Sequence, residues 1–166
     1  AQAAFARLRL VADLLVGLEL RGEPRDRERA RHGLASALVD GAEGARLGEL
    51  QELARRLLAG ARPLHWPLEF PEVFLRPGPG FDACLGNPPF LGGTRISTVL
   101  GAGYSECLKR LFPGAGNRAD LVVYFLRRAY EVVREPGTLG YVTTNAISKG
   151  DSRVGGLEWL LAHGAT

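Results

Sequence analysis

Phe81-Asp82-Ala83-Cys84-Leu85-Gly86-Asn87-Pro88-Pro89-Phe90-Leu91-Gly92-Gly93 is the stretch from which the rest of the chain is best read. Its first five residues form a short apolar run that reads as a buried β-strand. Two prolines follow almost at once. Each fixes φ at about −65° and lacks a backbone N–H. Pro88 also pushes Asn87 out of the α region into extended backbone. The expected result is a stiff corner, poor in donors, that presents one amide side chain, free carbonyls and one aromatic face. Such a corner suits a flat heterocycle carrying an exocyclic amine. The Asn87 side-chain oxygen and the Pro88 carbonyl can accept from the NH2 group, and Phe90 can stack on the ring. A plain Pro-Pro turn closing a strand is the alternative. The preceding strand, the aromatic that follows at once, and Gly92-Gly93, which lets another chain or a ligand come close, favour a site.

Working outward, residues 91–116 are irregular and glycine-rich and read as a loop with a short helix over about 97–112. Tyr104 and Glu106 fall in this covering loop. Residues 120–134 read as a helix, with Leu121, Val122, Phe125, Leu126, Ala129, Val132 and Val133 along one side and Glu135-Pro136-Gly137 ending it. Residues 138–144 then read as a strand. Strand, loop, helix and strand make a crossover unit, which implies a parallel sheet with helices packed on it. In such sheets, sites lie beyond the carboxyl ends of the strands. Both Asn87-Pro88-Pro89-Phe90 and residues 145–149 fall there.

Upstream, Phe5, Leu8, Ala12, Leu15 and Val16 recur at helical spacing. Residues 25–39 are expected to form a charged, solvated helix. Leu47, Leu50, Leu53, Ala54, Leu57 and Leu58 give a third helix, ended by Gly60 and Pro63. Residues 65–74 carry Pro67 and Pro71, which argue against a central strand and leave an extended edge segment anchored by its aromatics. His65 alone is no ligand set and reads as a packing or hydrogen-bonding residue. The chain thus divides into a helical segment, 1–61, and an α/β part, 62–166.

The 166 residues suit one domain or part of one. With 46% hydrophobic and 23% charged residues, the composition is globular. No apolar run approaches the roughly 18 residues of a membrane span, and no signal peptide is visible, so a cytoplasmic protein without membrane contact is expected. Methionine is absent, and the chain starts inside one helical pattern and stops after another begins, so it reads as an excerpt. Cys84 and Cys107 are too few and too ill-spaced for a zinc site or a disulfide framework, so no metal is expected; Cys84 reads as a small core residue. A net charge of +3 permits an anionic partner without requiring one.

Asn87-Pro88-Pro89-Phe90 resembles the catalytic motif of S-adenosylmethionine-dependent amino-methyltransferases, in the form used by N6-adenine DNA methyltransferases. The likeness extends over roughly residues 62–160. Residues 65–74 and 81–90 resemble the lead-in to that motif in large type IIG-like restriction–modification methylases and related phage-defence methylases. Residues 120–125 resemble the helix that follows it, and residues 140–153 the next strand and loop. The resemblance implies a Rossmann-like methyltransferase fold, a flipped adenine in duplex DNA as substrate, and S-adenosylmethionine as cofactor. Asn87 and the Pro88 carbonyl would hold the target amino group, with Pro89 stiffening the corner and Phe90 stacking on the base. Two acceptors aimed at the amino hydrogens would pull the nitrogen toward sp3 geometry and free its lone pair, with positioning and electrostatics doing most of the work. Gly92, Gly93, Asn145, Ser148, Lys149 and Arg153 are the further substrate-binding candidates. The last four either contact phosphate and shape the pocket or simply form the turn at a strand end.

The chain departs from the family pattern in one respect. No strand followed by a glycine-rich loop stands in residues 1–61, and residues 41–48 lie between helices. The cofactor loop is expected before residue 1 and the target-recognition region after residue 166, on the rest of the same polypeptide. This stretch alone is then expected neither to bind cofactor well nor to methylate. Two other readings share the corner or the fold: a protein-glutamine or RNA-adenine N-methyltransferase, and a degenerate DNA-binding module.

Overall fold

A computed structural model describes residues 2–21, 27 and 45–166. The charged helix expected over residues 25–39 lies outside them, apart from Arg27. Two compact units are formed, Ala1–Pro71 and Glu72–Thr166.

In the first unit, α1 (Gln2–Arg21) packs against α2 (Ala45–Leu58). The face of α1 that is buried differs from the one expected. Leu14 and Leu18 form the core with Ala54, supported by Leu10 and Val11, whereas Phe5, Leu8 and Leu15 are exposed. Helix α1 is apolar nearly all round, so periodicity alone left its buried stripe ambiguous. Gly17 selects the stripe: a Cβ there would lie 2.7 Å from Leu57 Cβ, so the missing side chain lets the helices approach. Residues 66–69 and 71–74 are not extended. They form two short helical turns, α3 (Trp66–Glu69) and α4 (Pro71–Phe74), because Pro67 and Pro71 sit in first turns, where a missing N–H costs nothing. His65 Nε2 lies 2.7 Å from Asp13 Oδ1, and Arg9 donates to Glu69 at 2.6 Å, so the two ends of α3 are tied to α1.

The second unit takes in most of α4, and its first strand is β1 (Phe81–Gly86). A helical excursion follows, made of α5 (Gly93–Leu100), α6 (Ala102–Leu111) and α7 (Leu121–Val132). The chain returns in β2 (Val133–Tyr141), which pairs parallel with β1. The crossover logic of the sequence is thus realised in a mixed α/β unit. Four details differ. The loop holds two helices, broken at Gly101 with φ +92°, where a side chain would be strained. Tyr104 and Glu106 both stand on α6, Tyr104 against the core and Glu106 bridged to Lys109. Helix α7 ends at Val132, and Glu135-Pro136-Gly137 lies inside β2. Phe81 pairs with Val133 and Ala83 with Thr138, so Asp82 alone stands opposite residues 134–137. Strand β1 is only half covered, with Leu85 exposed and Cys84 half-buried, because a two-stranded sheet buries little of its surface.

The core of this unit gathers under α7. Val122 and Val123 are fully buried and pack with Ile96, Leu108, Phe112 and Tyr124. Burying each such side chain is worth about 1.5–3 kcal/mol. Leu91, directly after the proline corner, and Ile147, after β2, both pack onto this cluster. Arg127 is buried as well; its guanidinium lies 4.1 Å from the Trp159 ring centroid and donates to the Pro113 carbonyl at 3.0 Å. It thereby fastens the turn after α6 to the C-terminal helical stretch, which runs as Gly150–Ser152, a π-turn Arg153–Glu158, and Trp159–Ala162.

Candidate active site

Asn87-Pro88-Pro89-Phe90 leaves the carboxyl end of β1. Pro88 is buried, while Asn87 and Pro89 are exposed and Phe90 keeps 43% of its surface accessible. The amide and the ring are therefore available to a ligand, and the proline between them is the anchored element. The two strands leave the sheet together. Gly86 pairs with Tyr141, and the Val142 N–H donates to the Gly86 carbonyl at 2.9 Å. A Cβ on Gly86 would meet the Tyr141 ring at 3.3 Å, so the ring stands against the foot of the corner. Burial, aided by the neighbouring Cys84 thiol at 3.6 Å, raises the Tyr141 phenol above the ordinary tyrosine range.

Beyond the corner, the chain is fixed by residues the sequence reading had not singled out. Asp120 is the N-cap of α7, its Oδ1 accepting from the Val122 N–H at 3.0 Å. The same oxygen accepts from the Leu91 N–H at 3.2 Å, and the Leu121 N–H donates to the Leu91 carbonyl at 2.9 Å. The Asp120 N–H donates to Ser152 Oγ at 2.9 Å, and the Arg118 N–H to Asp151 Oδ2 at 2.8 Å. An Asp before an apolar helical run is a legible capping signal; its reach to Leu91 is not.

The remaining candidates separate. Gly93 does admit a close neighbour, but that neighbour is the chain: a Cβ would lie 2.4 Å from the Arg118 carbonyl carbon. Gly92 faces open space. Asn145 starts a 3-10 turn, Asn145–Ser148, and the Ser148 hydroxyl donates to the Asn145 carbonyl at 2.8 Å. Arg153 is bridged to Glu158 at 2.9 Å, while Lys149 is exposed between the two turns. The structure therefore brings the Asn87–Phe90 corner and the loop after β2 to one edge, with the cap of α7 between them. A shallow hollow between α6 and α7, lined by Tyr104, Phe112, Tyr124 and Arg128 among others, includes none of the corner residues.

Among the described residues, no group of three His, Cys, Asp or Glu could hold a metal, and no helix is long and apolar enough to cross a membrane. None of the described residues before β1 is in a strand. A strand followed by a glycine-rich loop, which the sequence of residues 1–61 lacks, is not found among them either.

Among curated proteins, the type II methyltransferase M.XhoI of Xanthomonas vasicola is 36% identical over 69 residues, covering 42% of this chain and 12% of that protein. The type II methyltransferase M.BstVI of Geobacillus stearothermophilus is 29% identical over 133 residues, covering 80% of this chain and 21% of its own length. The chain thus spans a small part of each relative. No solved structure matches. A family model described as the Eco57I restriction-modification methylase matches residues 6–162, nearly the whole chain. The chain belongs to the Eco57I restriction-modification methylase family.

Proposed function

We propose that this chain carries the target-base corner of a site-specific DNA adenine-N6 methyltransferase of a restriction–modification or defence system. The observation that carries the reading is the placement of Asn87-Pro88-Pro89-Phe90 at the carboxyl end of a parallel strand, with Asn87 and Phe90 exposed. Family membership and the names of the relatives support it. The Asn87 side-chain oxygen and the Pro88 carbonyl accept the two hydrogens of the adenine amino group. Phe90 stacks on the extruded ring and offsets part of the cost of removing it from the duplex. Lys149 and Asn145, on the loop beside the corner, are the candidates for backbone contacts, with Ser148 and Arg153 shaping the loop through their own bonds. Gly92 leaves room above the corner, and Gly93 lets the chain close beneath it.

Methyl transfer requires S-adenosylmethionine, which we assign to residues outside those described. In this reading residues 62–166 belong to a Rossmann-like catalytic core, residues 1–61 are a helical insertion or lead-in, and the protein is cytoplasmic. The stretch alone is expected to be inactive, so the test uses the full-length protein. Labelled S-adenosylmethionine is offered with duplex DNA, RNA and protein, and the products are identified after digestion. N6-methyldeoxyadenosine that disappears with Asn87→Ala is the expected outcome. Label in RNA adenosine or methylglutamine would overturn the substrate, and undiminished DNA methylation by Asn87→Ala would overturn the site.

A further inference from the structure

The corner has few means of holding itself. Pro88 and Pro89 have no N–H to donate, so residues 87–90 carry only half the backbone donors of an ordinary loop of that length. The grip falls on the two residues that flank them. On the strand side, the Gly86 carbonyl is held by Val142. On the far side, both backbone groups of Leu91 are used: its N–H goes to the Asp120 carboxylate, and its carbonyl receives the Leu121 N–H.

A helix cap needs its side-chain oxygen for one N–H of the first turn. Asp120 does this for Val122, and the same oxygen also takes Leu91 from 29 residues away. Its backbone N–H goes to Ser152, on the segment after β2. One buried residue therefore ties the end of the corner, the start of α7 and the second loop of the site. Gly93 completes the grip, since its missing Cβ lets Arg118 and Ala119 lie against the chain two residues beyond Leu91. Asp120 is 7% exposed, so water is poorly placed to replace the carboxylate if it is lost.

We propose that Asp120 is a positioning residue for the Asn87–Phe90 corner, setting where the two acceptors stand through its bond to Leu91. The inference rests on the reading of that corner as the amine-binding site. Its role is distinct from capping, and a substitution separates the two. In Asp120→Ser the hydroxyl still caps α7 but is one atom too short to serve both Val122 and Leu91. In Asp120→Asn the amide oxygen can accept from both.

The experiment compares the full-length protein with its Asp120→Ser, Asp120→Asn and Asn87→Ala variants, measuring kcat, KM for duplex DNA and melting temperature. Asp120→Ser is expected to lower kcat by about 10- to 100-fold, the scale of a displacement near 1 Å in a reacting geometry. Its KM should stay close to that of the parent, and its melting temperature should fall by a few degrees, because the Leu91 N–H loses its acceptor. Asp120→Asn is expected to restore kcat to within about threefold, because Asn caps as well as Asp. A kcat for Asp120→Ser equal to that of the parent overturns the proposal. So does a parallel fall of kcat and melting temperature in both Asp120 variants, which a purely structural cap would give. Hydrogen exchange at the Leu91 amide of the parent protein is a second check that needs no variant. Protection is expected, and exchange at the rate of an open loop overturns the clamp. Asn87→Ala keeps the two readings apart. If it methylates normally, the assignment of the corner fails. If it is silent while Asp120→Ser is unimpaired, only the role of Asp120 fails.

Discussion

Val142 and Gly86 are joined by a backbone hydrogen bond of 2.9 Å just past the last paired residues of two parallel strands. Because of it, the corner that follows Gly86 and the loop that follows Tyr141 start side by side. Every candidate residue downstream inherits its position from that shared origin.

Adjacent glycines should respond differently to the same substitution. Gly92 has open space where a Cβ would stand and φ −52°, which any residue adopts. Gly92→Ala is expected to change stability by less than about 0.5 kcal/mol. At Gly93 a Cβ would press on the Arg118 carbonyl carbon and the Ala119 oxygen, backbone atoms that cannot turn aside. Gly93→Ala should cost about 1–3 kcal/mol. Urea denaturation of the two variants checks this, and equal midpoints would contradict the packing described.

Phe90→Ala tests the stacking role. Phe90 is 43% exposed and belongs to neither hydrophobic cluster, so the melting temperature should hold. Loss of one base–aromatic stack is worth about 1–3 kcal/mol. The variant should therefore bind duplex DNA carrying the target site more weakly, by roughly 5- to 150-fold at that energy. Fluorescence anisotropy with a matched non-target duplex as control reads this. Equal weakening on both duplexes would indicate that Phe90 does not meet the target base.

Asp82 gives the unit an acid limb. Arg134 donates to it at 2.5 Å and Arg76 at 3.0 Å, and these bonds hold its carboxyl below the ordinary aspartate range. A carboxyl whose pKa is lower in the folded chain stabilises above its unfolded pKa, at about pH 4, and loses that contribution as pH falls further. Stability measured from neutral pH downward should fall below about pH 4, and Asp82→Asn should make that fall shallower. Superimposable acid limbs for the two proteins would exclude Asp82 as a contributor.

Much of the second unit was readable because its signals are local. The apolar run at Phe81, the two prolines and the capped run at Leu121 each announce an element within a few residues. Where the reading failed, the deciding contact was distant. Glu135-Pro136-Gly137 carries every mark of a helix terminator, yet the helix stops at Val132 and these residues bulge within β2, where Arg134 reaches Asp82. Pro67 and Pro71 argue against a central strand and point to an extended edge segment, yet the same residues fit equally well in the first turn of a helix. The buried face of α1 was settled by its approach to Leu57 through Gly17, and no periodicity of α1 alone contains that fact. At the site, the corner was evident from its own residues. Its anchor, Asp120, carries a local capping signal that went unread, and no local pattern announces its bond to Leu91.

The clamps on either side of the corner also set the order in which the unit can become functional. Leu91 meets a residue 29 positions away, and Gly86 meets one still farther along the chain. Contacts of that span form late, after the entropy of closing the intervening loop has been overcome. Helices α5, α6 and α7 need only near neighbours to begin forming, so a partly folded chain would have its helices and no site. Acceptor geometry is thus a property of the finished topology, and any truncation that removes β2 would abolish it while leaving the Asn-Pro-Pro-Phe motif intact in the sequence.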